Sequence, residues 1–329
     1  MLERVLDNDP RFGDATGEKG RPEHDTPGRK KEGYAQICLL GQPPLSRFLE
    51  FAEDTVVEGA IVDRAALIDE WRAANDYYQE LERSEAGIAD QGEHRELDPG
   101  LATLAAQVKS HPSYRSTFDT LPTRFGMVEL DRLIVHQWHI TRNFVDALKG
   151  RIGPAADLAA LFRICLPLDA PETPVQIQRV GSRRYVFRCE SEDFGFHEPA
   201  LLRPEQADES FGAVAGIVGL VLGFGSNFLT AVRVGNRMLL NNGYHRAYAL
   251  RALGITHAPC AIQMATRVDE LQVIVNERVA ANAQFYLASA RPPLLKDFFD
   301  PKIRKVLPIR KKVRQIEVDF EIRDVLVSE

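Results

Sequence analysis

The chain has 329 residues, 44% of them hydrophobic and 27% charged, which is typical of a globular protein with room for one large domain or two smaller ones. Its formal net charge is −6, whereas proteins that live on nucleic acid are usually basic. The composition therefore argues against general nucleic-acid binding and leaves only a local basic patch open for that role.

The four cysteines, Cys38, Cys165, Cys189 and Cys260, lie far apart and form no Cys-X-X-Cys pair. Isolated cysteines of this kind are typical of reduced, buried thiols, so we predict a cytoplasmic protein. The first ten residues do not combine a basic start with an apolar run, and we expect no secretory signal there.

One uncharged stretch, residues 211–232, is long enough to span a bilayer. It contains several glycines, and Ser226 and Asn227 interrupt its end. We therefore predict no membrane span, but a buried helix or strand, a glycine-rich loop at residues 223–227, and a further strand.

The N-terminal part of the chain divides by composition into two segments. Residues 1–34 are rich in Gly, Pro and charged residues, which predicts a disordered tail. Residues 35–122 predict a helical region packed on the core, with a surface open to a protein partner. In its clearest helix Asp63 is the predicted cap, and Leu67 and Trp71 lie on one face.

Residues 123–329 are predicted to form the core. Because strands and helices are mixed along this segment, the expected fold class is α+β with a small mixed or antiparallel sheet. Two hairpins are expected to turn at Gly181-Ser182 and at Gly235-Asn236, where two-residue loops beginning with Gly favour tight turns. The acidic residues 190–198 follow the first hairpin. Their carboxylates suit Mg²⁺ beside a phosphate, and a solvated loop explains the same residues.

The C-terminal part contains a basic run and an alternating strand. Residues 302–314 hold seven Lys and Arg residues and no acid. They either contact the phosphates of a nucleic acid or nucleotide, or form a solvated face opposite acidic residues. Residues 314–324 alternate in polarity, which predicts a half-buried antiparallel strand. A helix is predicted earlier, over residues 269–282.

The stretch over residues 237–262 carries the strongest functional signal. A short apolar strand ends in a polar turn, and an Ala/Leu-rich helix follows as far as Gly254. The first N–H groups of a helix have no partner within it, which makes such a turn a ready anion site. Gly243 lets the backbone approach a phosphate, while His245 and Arg246 add donors. The same residues also fit an ordinary turn before a surface helix.

This stretch resembles the second conserved box of the ParB/sulfiredoxin-like superfamily. Members read as a strand, a (D/G)-G-X-(H/R)-R turn, a helix and a short strand, and residues 242–246 (Asn-Gly-Tyr-His-Arg) fill that turn. The resemblance implies ATP, ADP or CTP as the ligand, with or without Mg²⁺. It implies that the nucleotide contacts Asn241, Asn242, Gly243, Tyr244, His245 and Arg246.

The resemblance also bears on catalysis. In members that phosphorylate a free amino acid, a glutamate in the first box acts as the base, and the nearest position here is Gln137, whose amide cannot take a proton. His136 or His139 is a candidate replacement base, and His245 is a candidate to orient a phosphate; each also fits a structural histidine. Tyr244 stands where sulfiredoxins carry their reactive cysteine, and a phenol cannot perform thiolate chemistry.

Three functions remain open from the sequence. The first is a nucleotide- or phosphate-binding protein, which extends to an ATP- or ADP-dependent phosphotransferase if a base is present. The second is a DNA-associated ParB-like adaptor without small-molecule catalysis, for which the basic run is the support. The third is a non-catalytic interaction scaffold with a vestigial phosphate site. No set of metal ligands is assigned in any of them.

Overall fold

The structure is a computed structural model, and it describes residues 33–60, 63–153, 156–169, 173–197, 199–203 and 212–327, together with the backbone of residues 12–14. The predicted disordered tail, residues 1–34, therefore lies outside the described residues except at residues 12–14, which form a strand, and at residues 33 and 34.

The helices follow the predicted caps and apolar faces closely at the start of the chain. Asp63 accepts a hydrogen bond from the N–H of Ala65 and so caps the long helix that begins at Arg64, as predicted. The described α-helices are α1 Leu45–Thr55, α2 Arg64–Ser84, α3 Ala102–Ser110, α4 Pro112–Thr117, α5 Arg142–Ile152, α6 Leu158–Cys165, α7 Tyr244–Ala252, α8 Glu277–Ala281 and α9 Ala283–Ala288.

The strands are short and are spread along the whole chain. The described strands are β1 Phe12–Asp14, β2 Ala35–Leu39, β3 His94–Glu96, β4 Thr123–Glu129, β5 His139–Thr141, β6 Gln176–Val180, β7 Arg184–Cys189, β8 Phe194–Phe196, β9 Ala200–Leu202, β10 Ile217–Gly219, β11 Leu222–Phe224, β12 Thr230–Val234, β13 Arg237–Asn242, β14 His257–Ala265, β15 Arg304–Pro308 and β16 Arg314–Asp319. They form several small, mostly antiparallel sheets, which confirms the α+β class.

The chain divides into two compact units, and the larger comprises Lys31–Asp169 and Ser226–Arg310. Its main sheet has the order β13-β12-β14-β4-β3, with β12 and β14 parallel and the other neighbours antiparallel. Nearly every residue of β14 is buried, as expected of a central strand covered on both faces. A second sheet joins β15, β2 and β5, so the segment predicted as helical from residue 35 begins with a strand.

The smaller unit comprises Met1–Lys30, Ala170–Gly225 and Lys311–Glu329. The predicted hairpin around Gly181 is confirmed, because β6 and β7 pair antiparallel across it. The alternating C-terminal strand is confirmed over Arg314–Asp319, where β16 pairs antiparallel with β7. The sheet order is β1-β6-β7-β16, and two separate pairs, β9 with β10 and β8 with β11, complete the unit.

The structure also bears on two other predicted segments, the helix over residues 269–282 and the uncharged stretch over residues 211–232. The single helix expected over residues 269–282 is divided into a 3₁₀ turn, Val268–Val273, and α8. The side chain of Asn276 accepts from the N–H of Val279, which caps a new helix and interrupts the old one. The described part of the uncharged stretch forms β10, β11 and the start of β12, and no described helix is long and apolar enough to cross a membrane.

Candidate functional site

The predicted strand, turn and helix at residues 237–252 are present in the larger unit. β13 ends at Asn242, Gly243 adopts a left-handed conformation with φ 92°, and α7 begins at the next residue. A Cβ atom on Gly243 would lie 2.6 Å from Cδ1 of Leu229. The φ angle favours glycine here, and an added Cβ would also force the Leu229 side chain to shift. The turn therefore has the predicted change from strand to helix, without a side-chain cap at the N-cap position.

Arg246 lies inside the protein. Only 6% of its surface is exposed, and its guanidinium donates to the carbonyl oxygen of Cys165 at 2.9 Å and to that of Asn227 at 2.7 Å. It also donates to Oδ1 of Asn227. These bonds connect α7 to the end of α6 and to the segment before β12, so this side of the guanidinium satisfies protein carbonyl groups.

His245 joins the starts of two helices. Its Nε2 accepts a hydrogen bond from the backbone N–H of Thr141 at 3.0 Å, and Thr141 is the N-cap residue of α5. Its ring meets Phe144 edge-on with centroids 5.1 Å apart, and Phe144 is 50% exposed. The N-termini of α5 and α7 are thus neighbours.

The other residues predicted to contact a nucleotide make hydrogen bonds within the chain. Asn241 donates to the carbonyl of Ile274, and Asn242 donates to that of Ser226 while its Oδ1 accepts from the N–H of Gly243. Tyr244 is buried, and its hydroxyl donates to the carbonyl of Leu240 at 2.5 Å. Burial raises the pKa of that phenol well above its usual range. These hydrogen bonds within the chain stabilise the turn.

His136 is set beside the first residue of α7. Its ring lies 5.2 Å from the ring of Tyr244 and 6.5 Å from that of Tyr286. Its Nε2 is buried and has no hydrogen-bond partner within the described residues. Burial, and after it the charge of Arg278, lowers the pKa of His136 to about 4. The imidazole is therefore neutral at pH 7, with a buried nitrogen that lacks a partner among those residues.

Two arginines near His136 were not found by sequence reasoning. Arg47 on α1 has its guanidinium 5.9 Å from the centre of the Trp138 ring. Burial and then the nearby charge of Arg278 lower the pKa of Arg47, while Tyr286 and Glu50 act in the opposite sense. Neither Arg47 nor Arg278 forms an ion pair within the described part of the chain. We refer to Arg47, His136 and Arg278 as the basic cluster.

His139 and Gln137 contact each other and the aromatic residues around them. The ring of His139 stacks on Phe51 with centroids 5.5 Å apart and lies edge-on to Trp138. Gln137 donates from its amide to the carbonyl of His139 at 2.7 Å. The role of His139 as a candidate base therefore stays a prediction, and its described contacts are with aromatic rings and with Gln137.

Three cations of the basic run form ion pairs with acidic residues. In the basic run Lys305 pairs with Glu70, Lys311 with Glu190 at 2.5 Å and Lys312 with Glu192 at 3.2 Å. The last two pairs occupy carboxylates of the acidic loop. Among the residues that the structure describes, no group of three or more His, Cys, Asp and Glu side chains is placed to hold a metal ion.

The comparisons with known proteins add no family to these observations. Neither the family models, nor the curated proteins, nor the solved structures contain a match to this chain. The resemblance to the ParB/sulfiredoxin-like superfamily thus stays an interpretation of residues 242–246 and the elements around them.

Proposed function

We propose that the chain binds a nucleotide, ATP, ADP or CTP, beside the start of α7, with the phosphates held by the basic cluster. The observation that carries this proposal is that, within the described residues, two arginines lack ion pairs and a buried imidazole nitrogen lacks a partner. A buried polar nitrogen without a hydrogen-bond partner is costly, while Arg47, which is partly buried, and Arg278, which is exposed, are cations available to a ligand. Phosphate oxygens accept from guanidinium groups in a bidentate manner. A phosphate would therefore supply a negative charge for the two arginines and a hydrogen-bond partner for the imidazole nitrogen.

Two aromatic rings beside the cluster favour a nucleotide over a simple anion. Phe285 is 42% exposed, and its ring lies 5.1 Å from that of Tyr286, which in turn faces His136. An exposed ring next to an anion site offers a stacking surface for a base, and such stacking tolerates different bases. This tolerance is consistent with ATP, ADP and CTP as equal candidates.

The turn residues then take a supporting role in the proposal. Gly243 sets the start of α7, and Arg246 and His245 fix that start against α6 and α5 through their hydrogen bonds. We propose that Arg246 positions the turn and leaves the direct phosphate contacts to Arg47 and Arg278. The donor set around the cluster is cationic and aromatic, with Glu50 as the nearby acid, and this suits phosphate oxygens better than Mg²⁺. No phosphoryl-transfer step is proposed.

The test measures ligand binding to the full chain by calorimetry and by the shift in melting temperature with ATP, ADP and CTP, each with and without Mg²⁺. We expect at least one nucleotide to stabilise the wild-type protein. Arg47→Gln/Arg278→Gln should weaken nucleotide binding by about a hundredfold or more, since each of the two charge-assisted hydrogen bonds contributes about 1.5–3 kcal/mol. The matched control is Arg72→Gln, an exposed arginine of α2 that pairs only with Asp69 among the described residues, and it should bind normally.

Phe285→Leu separates base from phosphate recognition. It should weaken ATP and leave tripolyphosphate binding unchanged, because only the nucleotide has a base to stack. Absence of any nucleotide-induced stabilisation in the wild-type protein overturns the proposal, and so does full affinity in the double arginine variant.

The DNA-adaptor alternative has less support, because three cations of the basic run already pair with carboxylates. Retention on duplex DNA that falls as salt rises is the result that would revive it. A cytoplasmic location stays part of the proposal and is supported by the four cysteines, all of which are free and buried. A protein partner on the helices of residues 35–122 is likewise only a proposal, and the scaffold alternative predicts no stabilisation by nucleotides.

A further inference from the structure

A second group of cations lies on the main sheet of the larger unit, away from the start of α7. Arg124 on β4 and Arg233 on β12 both point a guanidinium at Nε2 of His94 on β3, at 3.0 and 2.8 Å. Arg233 is further fixed by a hydrogen bond from its Nε to the carbonyl of Gly235 at 2.9 Å. Three strands thus bring two positive charges to one ring nitrogen.

This arrangement lacks a negative charge among the residues that the structure describes. Neither arginine forms an ion pair with any of them. Glu96, two residues from His94 and so on the same side of β3, is exposed and bonds to neither arginine. A neutral imidazole nitrogen offers a single lone pair, which is a poor acceptor for two guanidinium groups at once. The two like charges therefore stay close without compensation from a carboxylate.

The pKa of His94 is affected by the same two positive charges. Burial lowers its pKa, and the charges of Arg233 and then Arg124 lower it further. The ring is therefore held neutral and acts as an acceptor. A ligand that brought negative charge to the two arginines would release the imidazole nitrogen and ease its protonation.

We propose that Arg124, Arg233 and His94 form a second anion site, which binds a phosphate group as the free dianion or as a monoester. A tetrahedral phosphate presents several oxygens, so it can accept from both guanidinium forks together, and its double negative charge matches the two cations. The site uses none of the residues of the basic cluster, and it does not depend on nucleotide binding there.

The test follows the His94 ring by NMR during titration of the full-length protein with inorganic phosphate at constant ionic strength, with chloride as the comparator. His94→Gln assigns the signal. We expect a saturable shift with phosphate and none with chloride, together with a rise of the His94 pKa. Glycerol 3-phosphate forms the second arm, and tighter saturation by it would assign an esterified ligand.

Arg124→Gln and Arg233→Gln should each raise the apparent Kd for phosphate by about tenfold, as loss of one charge-assisted contact implies. Arg124→Lys/Arg233→Lys keeps the charges without the planar guanidinium groups, and it should bind phosphate more weakly than wild type because an ammonium cannot donate in a bidentate manner. Arg184→Gln, which breaks an exposed pair with Asp319 in the smaller unit, is the control and should respond as wild type does.

A His94 signal that phosphate does not move, or that moves equally in the Arg124→Gln/Arg233→Gln variant, overturns the second site. Arg47→Gln/Arg278→Gln should keep the His94 response to phosphate. The two proposals therefore fail separately: loss of nucleotide stabilisation with an intact His94 response removes only the first, and the reverse removes only the second.

Discussion

Nε2 of His245 accepts the backbone N–H of Thr141 across 3.0 Å, and this bond ties the first turn of α7 to the N-cap of α5. Neither Thr141 nor Gly243 makes a side-chain cap of its own. A side chain from one helix therefore satisfies a backbone donor at the start of the other. His245, the fourth residue of the turn 242–246, therefore holds the start of α7 against the start of α5.

Replacing His245 should loosen the start of α5. His245→Phe keeps a ring beside Phe144 but removes the acceptor, which leaves the Thr141 N–H unsatisfied at a cost of about 1–3 kcal/mol. Hydrogen exchange at the Thr141 amide should speed up accordingly. His245→Gln supplies an oxygen acceptor and should recover part of the protection. Equal exchange rates at Thr141 in the wild-type and Phe proteins would contradict this role.

Arg246 is predicted to contribute mainly to the stability of the folded protein. Arg246→Ala removes three hydrogen bonds to Cys165 and Asn227, although the Cys165 carbonyl keeps the backbone N–H of Leu229 as a donor. We expect a loss of about 3 kcal/mol or more in the free energy of unfolding, measured with urea. Arg246→Lys keeps the charge without the planar fork and should be intermediate. A fully stable Arg246→Ala protein would show that these bonds contribute little.

Gly243 allows the cost of a backbone angle to be separated from the cost of a steric clash. Gly243→Ala should lose about 1–2 kcal/mol from the left-handed conformation and about 1–3 kcal/mol from contact with Leu229. Gly235→Ala is the control, because Gly235 has φ 59° and no described atom within 4 Å of the position that an added Cβ would occupy. It should lose only the first amount, and equal losses at both sites would contradict the steric part.

The elements that local signals govern were predictable from the sequence. The cap at Asp63, the hairpin turn at Gly181 and the change from strand to helix at Gly243 each depend on neighbours within a few residues. The division of the helix expected over residues 269–282 was missed, because Asn276 reads as an ordinary helix residue until its side chain is seen to cap α8.

The roles of the site residues were not predictable to the same depth, because they depend on distant partners. An arginine after a Gly-X-His turn fits phosphate contact and carbonyl contact equally well, and its partners Asn227 and Cys165 lie 19 and 81 residues away. Arg47 and Arg278 belong to separate helices and carry no motif. The charge of Arg278 affects the pKa of both Arg47 and His136 only in the folded chain, where residues distant in sequence come close.

The buried ion pair of Arg291 and Asp297 should be costly to break from one side. Arg291 is 1% exposed, and it donates to both carboxylate oxygens of Asp297 at 2.5 and 2.6 Å. Arg291→Met leaves Asp297 buried without its cation, and we expect a loss of about 3–5 kcal/mol in urea unfolding. Arg291→Met/Asp297→Asn removes the stranded charge and should recover part of that loss. A double variant less stable than the single one would contradict this explanation.

His136 should make the protein less stable in mild acid. Its pKa is about 4 in the folded chain against an ordinary value of 6.5, so the unfolded chain takes up the proton more readily and protonation favours unfolding. The part of the free energy of unfolding that depends on a neutral His136 is fully present above pH 6.5, and it is lost as the pH falls towards 4. Between pH 7 and pH 5 the wild-type protein should lose about 2 kcal/mol more than His136→Gln, which does not titrate there. Urea unfolding of both proteins at the two pH values measures the difference, because the titration of other groups is common to both. Equal losses would mean that His136 keeps its ordinary pKa in the folded chain.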